Sequence, residues 1–256
     1  MLKRLMIVII GLLLFIPTSA MATTVGLWLF DEGTDTTAHD SSGYGNHGTL
    51  VNGSTWSNDT PFTYTDNHSL SLDGVNDYVS VPFSSTNLNL NNSSFTAELW
   101  VYINDNNAID ISISQGDGTG KGRTWLGIDT DGEIYSWYGG TRFDAGFTIT
   151  ENAWHHIAFT YDNSNDLQKI FVNGNEEASR TKAGEDADGE YLFGVNKYYE
   201  NNFNGLIDEI RFSDAALSAD ELGYNGSLIP EPATMILLGS LATGLFGMAA
   251  VRKKRG

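Results

Sequence analysis

The chain has 256 residues, no cysteine, 12% aromatic residues and a formal net charge of −18. A disulfide-stapled scaffold is excluded, and the acidity argues against nucleic acid or anionic lipid as a partner. Six of the 14 basic residues and one of the 32 acidic residues lie at the two ends, which leaves 8 against 31 between them; such a surface attracts cations such as calcium and also favours solubility.

The chain opens with Lys3 and Arg4, an apolar run over 5–16, and small residues at Ala20-Met21-Ala22. The run is too short to span a bilayer, so 1–22 reads as a secretory signal peptide cut after Ala22. One globular domain is expected over 23–226. Short apolar or alternating runs at 25–30, 69–72, 78–82, 95–103, 125–129, 133–138, 155–161, 169–172 and 206–212 sit between Gly, Asn and Asp turns. The pattern predicts an all-β, two-sheet antiparallel sandwich. Asp131-Gly132 and Asn173-Gly174 read as two-residue hairpin turns. Segments 87–94 and 183–190 read as loops, the second solvated. Ser218 and Glu221 have capping-box spacing, which predicts one short helix near the domain end.

The last segment, 227–256, has three parts. Pro230-Glu231-Pro232 comes first. Residues 233–251 follow without a charge, long enough for one transmembrane helix. Arg252, Lys253, Lys254 and Arg255 come last; positive residues stay cytoplasmic, so the domain lies outside.

Three chemistries deserve weighing. Alternation puts Tyr135 and Trp137 on one face of their strand, with Trp125 across the hairpin, a candidate platform for stacking sugar rings. Burial in a sandwich core competes for each of them. A retaining glycosidase needs two carboxylates ~5–5.5 Å apart. On a strand these would read E-x-D-x-E or E-x-D-x-x-E, and neither spacing occurs. Glu98 stands alone in FTAELWVY, so no catalytic residue is assigned. His155 and His156 are adjacent on a strand and point to opposite faces, so they cannot chelate one ion together.

Two resemblances sharpen the reading. The tripartite C-terminus, paired with a signal peptide, resembles the PEP-CTERM sorting signal of Gram-negative bacteria. It implies an exosortase-type sorting protease, transient inner-membrane anchoring, and release to the cell surface or extracellular matrix. The segments WLFDEG (28–33), DSSGYGNHGTL (40–50), SLSLDGVNDYVSVP (69–82), FTAELWVY (95–102), WHHIAFTYD (154–162), IFVNG (170–174) and GLIDEIRFSDAALSADEL (205–222) resemble, in this order, the LamG-like jellyroll family of the concanavalin A-like lectin/glucanase superfamily. That resemblance implies two antiparallel sheets of roughly six or seven strands. It also implies one structural Ca²⁺ at Asp208 in the closing strand, near Glu32 and Asp73, with Asp40 and Asn46 adding oxygens. Alternatively Asp40, Asn46 and Asp73 cap their own turns. The expected function is a non-catalytic surface or matrix binding domain, with an extracellular polysaccharide as the favoured ligand. A structural or adhesive protein that binds other proteins is the alternative, and a glycoside hydrolase the weaker one.

Overall fold

The computed structural model describes residues 22–62, 68–83, 88–105, 109–116 and 122–225. The expected signal peptide up to residue 21, the sorting motif and the 233–251 helix lie outside these residues. No helix among the described residues is long and apolar enough to cross a membrane.

The chain forms β1 (Thr24–Trp28), β2 (Thr37–Ala38), β3 (Gly48–Val51), β4 (Thr55–Ser57), β5 (Ser69–Asp73) and β6 (Tyr78–Val81). Next come β7 (Phe95–Ile103), β8 (Asp110–Gln115), β9 (Arg123–Ile128), β10 (Glu133–Trp137) and β11 (Arg142–Thr148). The last are β12 (Trp154–Asp162), β13 (Leu167–Val172), β14 (Asn175–Thr181), β15 (Tyr191–Phe193) and β16 (Asn204–Ser213). One eight-stranded sheet runs β14-β13-β12-β7-β16-β5-β4, with β1 also on β16; the other runs β11-β10-β9-β8-β15-β6-β3-β2. Each sheet thus carries more strands than the expected six or seven, because several short or polar strands extend the edges.

The two sheets close on one apolar core that includes Trp28, Phe30, Phe95, Trp125, Phe159, Phe193 and Phe212. The rings meet at angles; Phe95 lies 4.5 Å from Trp125 and Trp125 is edge-on to Phe212 at 5.3 Å. Such contacts add stability beyond the area they bury.

The turns follow backbone chemistry. Asn173 and Gly174 both take positive φ (50° and 78°), as a two-residue primed turn demands. The Asp131-Gly132 turn differs from its expectation. The connection runs from Asp129, whose carbonyl accepts the Gly132 N–H, and only Gly132 is left-handed, at φ 75°. It is a longer loop with a glycine bulge. Near the domain end, Ala219–Glu221 is a single 3-10 turn; the Ser218 N–H donates to Glu221 Oε2 at 2.9 Å, as the capping-box spacing implies.

The outer face of the first sheet carries a buried ionic cluster. Glu98, on β7, pairs with Arg211 and accepts from Gly223 N–H at 2.8 Å, while its Oε2 lies 2.9 Å from His156 Nε2. His155 points the other way, to Thr150. Residues past β16 then cross this face: Leu217 and Leu222 pack on Ala158 and Phe171, and Tyr224 stacks on Trp100. This strap starts at Ser213, beside Thr96. It ends at Tyr224, whose ring lies against Gly174 of the β13–β14 turn. Ser213 and the β12–β13 turn share one end of the sandwich, and Tyr224 lies toward the other.

Candidate ligand-binding pocket

A polar pocket of about 250 Å³ opens at the end of the sandwich where β12 turns into β13. Asn92, Tyr138, Tyr161, Asn163, Asp166, Ala183, Gly184, Glu185 and Asp186 line it. Its floor is built first. Tyr138 follows β10 and is buried, with the Arg123 guanidinium 5.1 Å from its ring centroid. Burial pushes its hydroxyl up to about 12. Tyr161 comes from β12; its hydroxyl donates to Asp166 Oδ1 at 2.7 Å and accepts from Gly184 N–H at 3.0 Å. Burial, followed by the Asp166 bond, raises its pKa.

Three connections make the walls. Asn163 Nδ2 donates to the Asn92 carbonyl at 3.1 Å, which ties the β12–β13 turn to the loop before β7. Asn92 Nδ2 reaches Asp186 Oδ2 at 3.4 Å. Asn91 holds the acidic loop from below: its Oδ1 accepts from Ala187 N–H and from Arg123 Nη2, and its Nδ2 donates to the Ala187 carbonyl. Arg123 is a buried cation beneath an acidic loop. Burial lowers its pKa, and Tyr138, Tyr191, Glu185 and Asp186 act the other way. Gly184 is required here, because a Cβ would collide with the Tyr138 hydroxyl. The 183–190 segment is therefore a loop, as expected, but one fastened over a cavity, with Ala187 fully buried.

The expected aromatic platform is only partly assembled. Tyr135 and Trp137 do share the outer face of β10, but the Arg142 guanidinium lies 4.2 Å from the Tyr135 ring centroid and leaves it 7% exposed. Trp137 is 47% exposed. Trp125 is fully buried in the core and joins neither. The cause is a register shift between Tyr135 and Trp137: Tyr135 pairs with Gly127, but Trp137 pairs with Thr124. One residue of slip turns Trp125 to the opposite face.

Among the described residues, the side chains implied for calcium are partly committed to hydrogen bonds. Asp40 spends Oδ1 on the N–H groups of Leu27 and Ser42 and Oδ2 on that of Asn46. Asn46 in turn donates to the Val25 carbonyl. Asp73 Oδ1 accepts from Val75 N–H, and Glu32 Oε1 from His39 N–H. The Asp40–Ser42 and Asp73–Val75 bonds cap their own turns, whereas Asp40 and Asn46 also reach back to β1 at Leu27 and Val25. Asp208 is fully buried and accepts the N–H of Glu209, which has φ 49° at a bulge in β16. Among the described residues no three His, Asp or Glu side chains gather closely enough to hold a metal.

None of the pocket residues stands out in the sequence as a ligand. They come from loops far apart in the chain, and only the oxygen-rich YDNSND (161–166) and AGEDADGE (183–190) hint at polar crowding.

Residues 73–223 match the family profile described as the Concanavalin A-like lectin/glucanases superfamily. No curated protein matches the sequence. Several solved structures are similar in fold. Domain 4 of a GH43 extracellular arabinanase from Geobacillus stearothermophilus, in complex with arabinotriose, superposes with a TM-score of 0.58 at 20% identity, over 78% of this chain and 96% of that one. The binding domain of Paraclostridial Mosquitocidal Protein 1 gives 0.61 at 17% identity, over 78% of this chain and 50% of that one. The botulinum neurotoxin serotype D binding domain gives 0.59 at 16% identity, over 81% and 52%. The chain thus spans about half the length of these two toxin domains. At such identities the likeness is one of fold. With a profile match over more than half its length and this two-sheet architecture, the chain belongs to the concanavalin A-like lectin/glucanase superfamily.

Proposed function

We propose that the chain is an exported, non-catalytic carbohydrate-binding domain, displayed at the cell surface or in the extracellular matrix after sorting by an exosortase-type protease. The observation that carries the binding reading is the pocket. Amide, carboxylate and hydroxyl groups beside two tyrosine rings are the donors and acceptors that sugar hydroxyls require. Asp166, Glu185 and Asp186 repel anions, so the ligand is a neutral saccharide. Export and sorting rest on the sequence pattern of the two ends. The strap supports display, since Tyr224, near its end, lies toward the end of the sandwich opposite the pocket.

The test is a glycan array, followed by titration calorimetry, on the purified chain. Neutral glycans are expected to bind and uronic-acid glycans to bind more weakly. Loss of one hydrogen bond is worth about 1.4 kcal/mol, or tenfold in Kd. Glu185→Ala and Asp186→Asn should therefore each weaken binding about tenfold, with Tm unchanged. Absence of binding to every neutral glycan at millimolar concentration would overturn the reading. A hydrolase reading has one observation in its favour, three carboxylates in one pocket. Against it, they come from two loops, and Asp166 already holds Tyr161. Release of reducing sugar that is lost in Glu185→Ala would establish the hydrolase instead. Export is checked separately: sequencing of the secreted chain is expected to begin at Thr23.

A further inference from the structure

The end of the sandwich away from the pocket holds a second group of oxygen donors. Gly205 pairs with Ile103, the last residue of β7, so the start of β16 meets the end of β7. Asp110, the first residue of β8, joins them: its Oδ1 accepts the Asn204 N–H at 2.8 Å. Asp105 Oδ2 accepts from Asn204 Nδ2 at 3.4 Å, and Asn104 Nδ2 donates to Asn204 Oδ1 at 3.0 Å. Both carboxylates thus rest on one asparagine.

Asp110 is 1% exposed, and its Oδ2 has no hydrogen-bond partner. No ion pair among the described residues involves it. Burial and the charge of Asp105 both oppose its anionic form, against the Asn204 bond. A buried carboxylate oxygen left without a donor or cation is costly. The donors present are all oxygens, which select a hard cation over zinc or copper.

We propose that Asp110 Oδ2 and the Asp105 carboxylate, with water completing the shell, hold one calcium-class divalent cation. Two carboxylates make a weak site, with Kd on the order of 10⁻⁴–10⁻³ M, as in extracellular modules. The ion would tie β7, β8 and β16 together at a point where Asn204 already bridges them. It would stand apart from the sugar pocket, so sugar binding and cation binding can fail independently.

The experiment measures Tm of the purified full chain in mild detergent, after chelation and metal removal, with CaCl₂, with MgCl₂, and with NaCl at matched ionic strength. At a hundredfold excess over Kd, calcium is expected to raise Tm by about 5–10 °C. Asp110→Asn and Asp105→Asn should each abolish that shift, while Asp208→Asn should keep it. Titration calorimetry with CaCl₂ gives a second readout if one variant folds poorly. A wild-type Tm indifferent to calcium overturns the proposal. So does an equal shift with NaCl, which would mean simple screening of the acidic surface, and so does a calcium shift retained in both Asp110→Asn and Asp105→Asn.

Discussion

Glu98→Ala is expected to destabilise the domain by about 3–5 kcal/mol, the range for breaking a buried ion pair from one side. The reason is what the substitution leaves behind. Arg211 and His156 are 6% and 1% exposed, and both turn their side chains to Glu98. Removal of the carboxylate strands a guanidinium in the interior, and the Gly223 N–H loses its acceptor. At about 2–4 °C per kcal/mol, Tm should fall by roughly 10 °C or more. Glu98→Gln, which keeps shape and some hydrogen bonding, should lose less. The strap should also loosen, so limited proteolysis within 214–225 is expected to quicken. The cluster has a pH signature as well. Burial works against the Glu98 anion, but His156, Arg211 and the Gly223 N–H together hold its pKa below the ordinary value. A carboxylate with a depressed pKa contributes stability above the unfolded value and loses it as pH falls through the folded one. The wild type should therefore lose stability below about pH 4, the ordinary carboxylate range, and Glu98→Gln should show a flatter acid limb. A Glu98→Ala variant within 1 kcal/mol of wild type, with unchanged proteolysis, would mean that the cluster does not hold the strap.

The Glu98 cluster also marks where the sequence stops being legible. In FTAELWVY the glutamate looks isolated, because its partners lie 58, 113 and 125 residues away. Nothing local announces a pair that only β-sheet topology brings together. Strands with strong alternation or continuous apolarity were readable: the expected 95–103 is β7 to the residue. The strands that escape notice have physical excuses. β14 (NEEASRT) is a polar edge with no buried residue, and β11 contains Gly146 at φ 69°. β8 (DISISQ) is buried on both faces, so serines and an aspartate occupy interior positions and blur its pattern. The pocket is harder still. Asn92, Asp166 and Glu185 belong to three separate connections, and a site made from loops has no period to detect.

Trp125 shows the same limit within a single hairpin, and it gives the other large expected effect. Trp125→Ala should cost about 3–5 kcal/mol, as for a buried aromatic cut to alanine. The side chain is fully buried among Phe95, Tyr191 and Phe212, with Arg123 5.1 Å from its ring centroid. Phenylalanine keeps most of that contact, and the indole N–H of Trp125 has no hydrogen-bond partner to lose. Trp125→Phe should therefore cost about 1–2 kcal/mol, less than the alanine change. Trp137→Ala should stay within about 0.5 kcal/mol, as exposed positions do. The contrast tests the β9–β10 bulge directly. Without the shift between Tyr135 and Trp137, the Ile134–Ile128 and Tyr135–Gly127 register would put Trp125 opposite Trp137, on the outer face. Both tryptophans would then be dispensable for stability and available to stack on a ligand. Urea unfolding of the three variants decides between the two geometries: a large loss for Trp125→Ala alone places the ring in the core, and two small losses of equal size would remove the bulge from the fold.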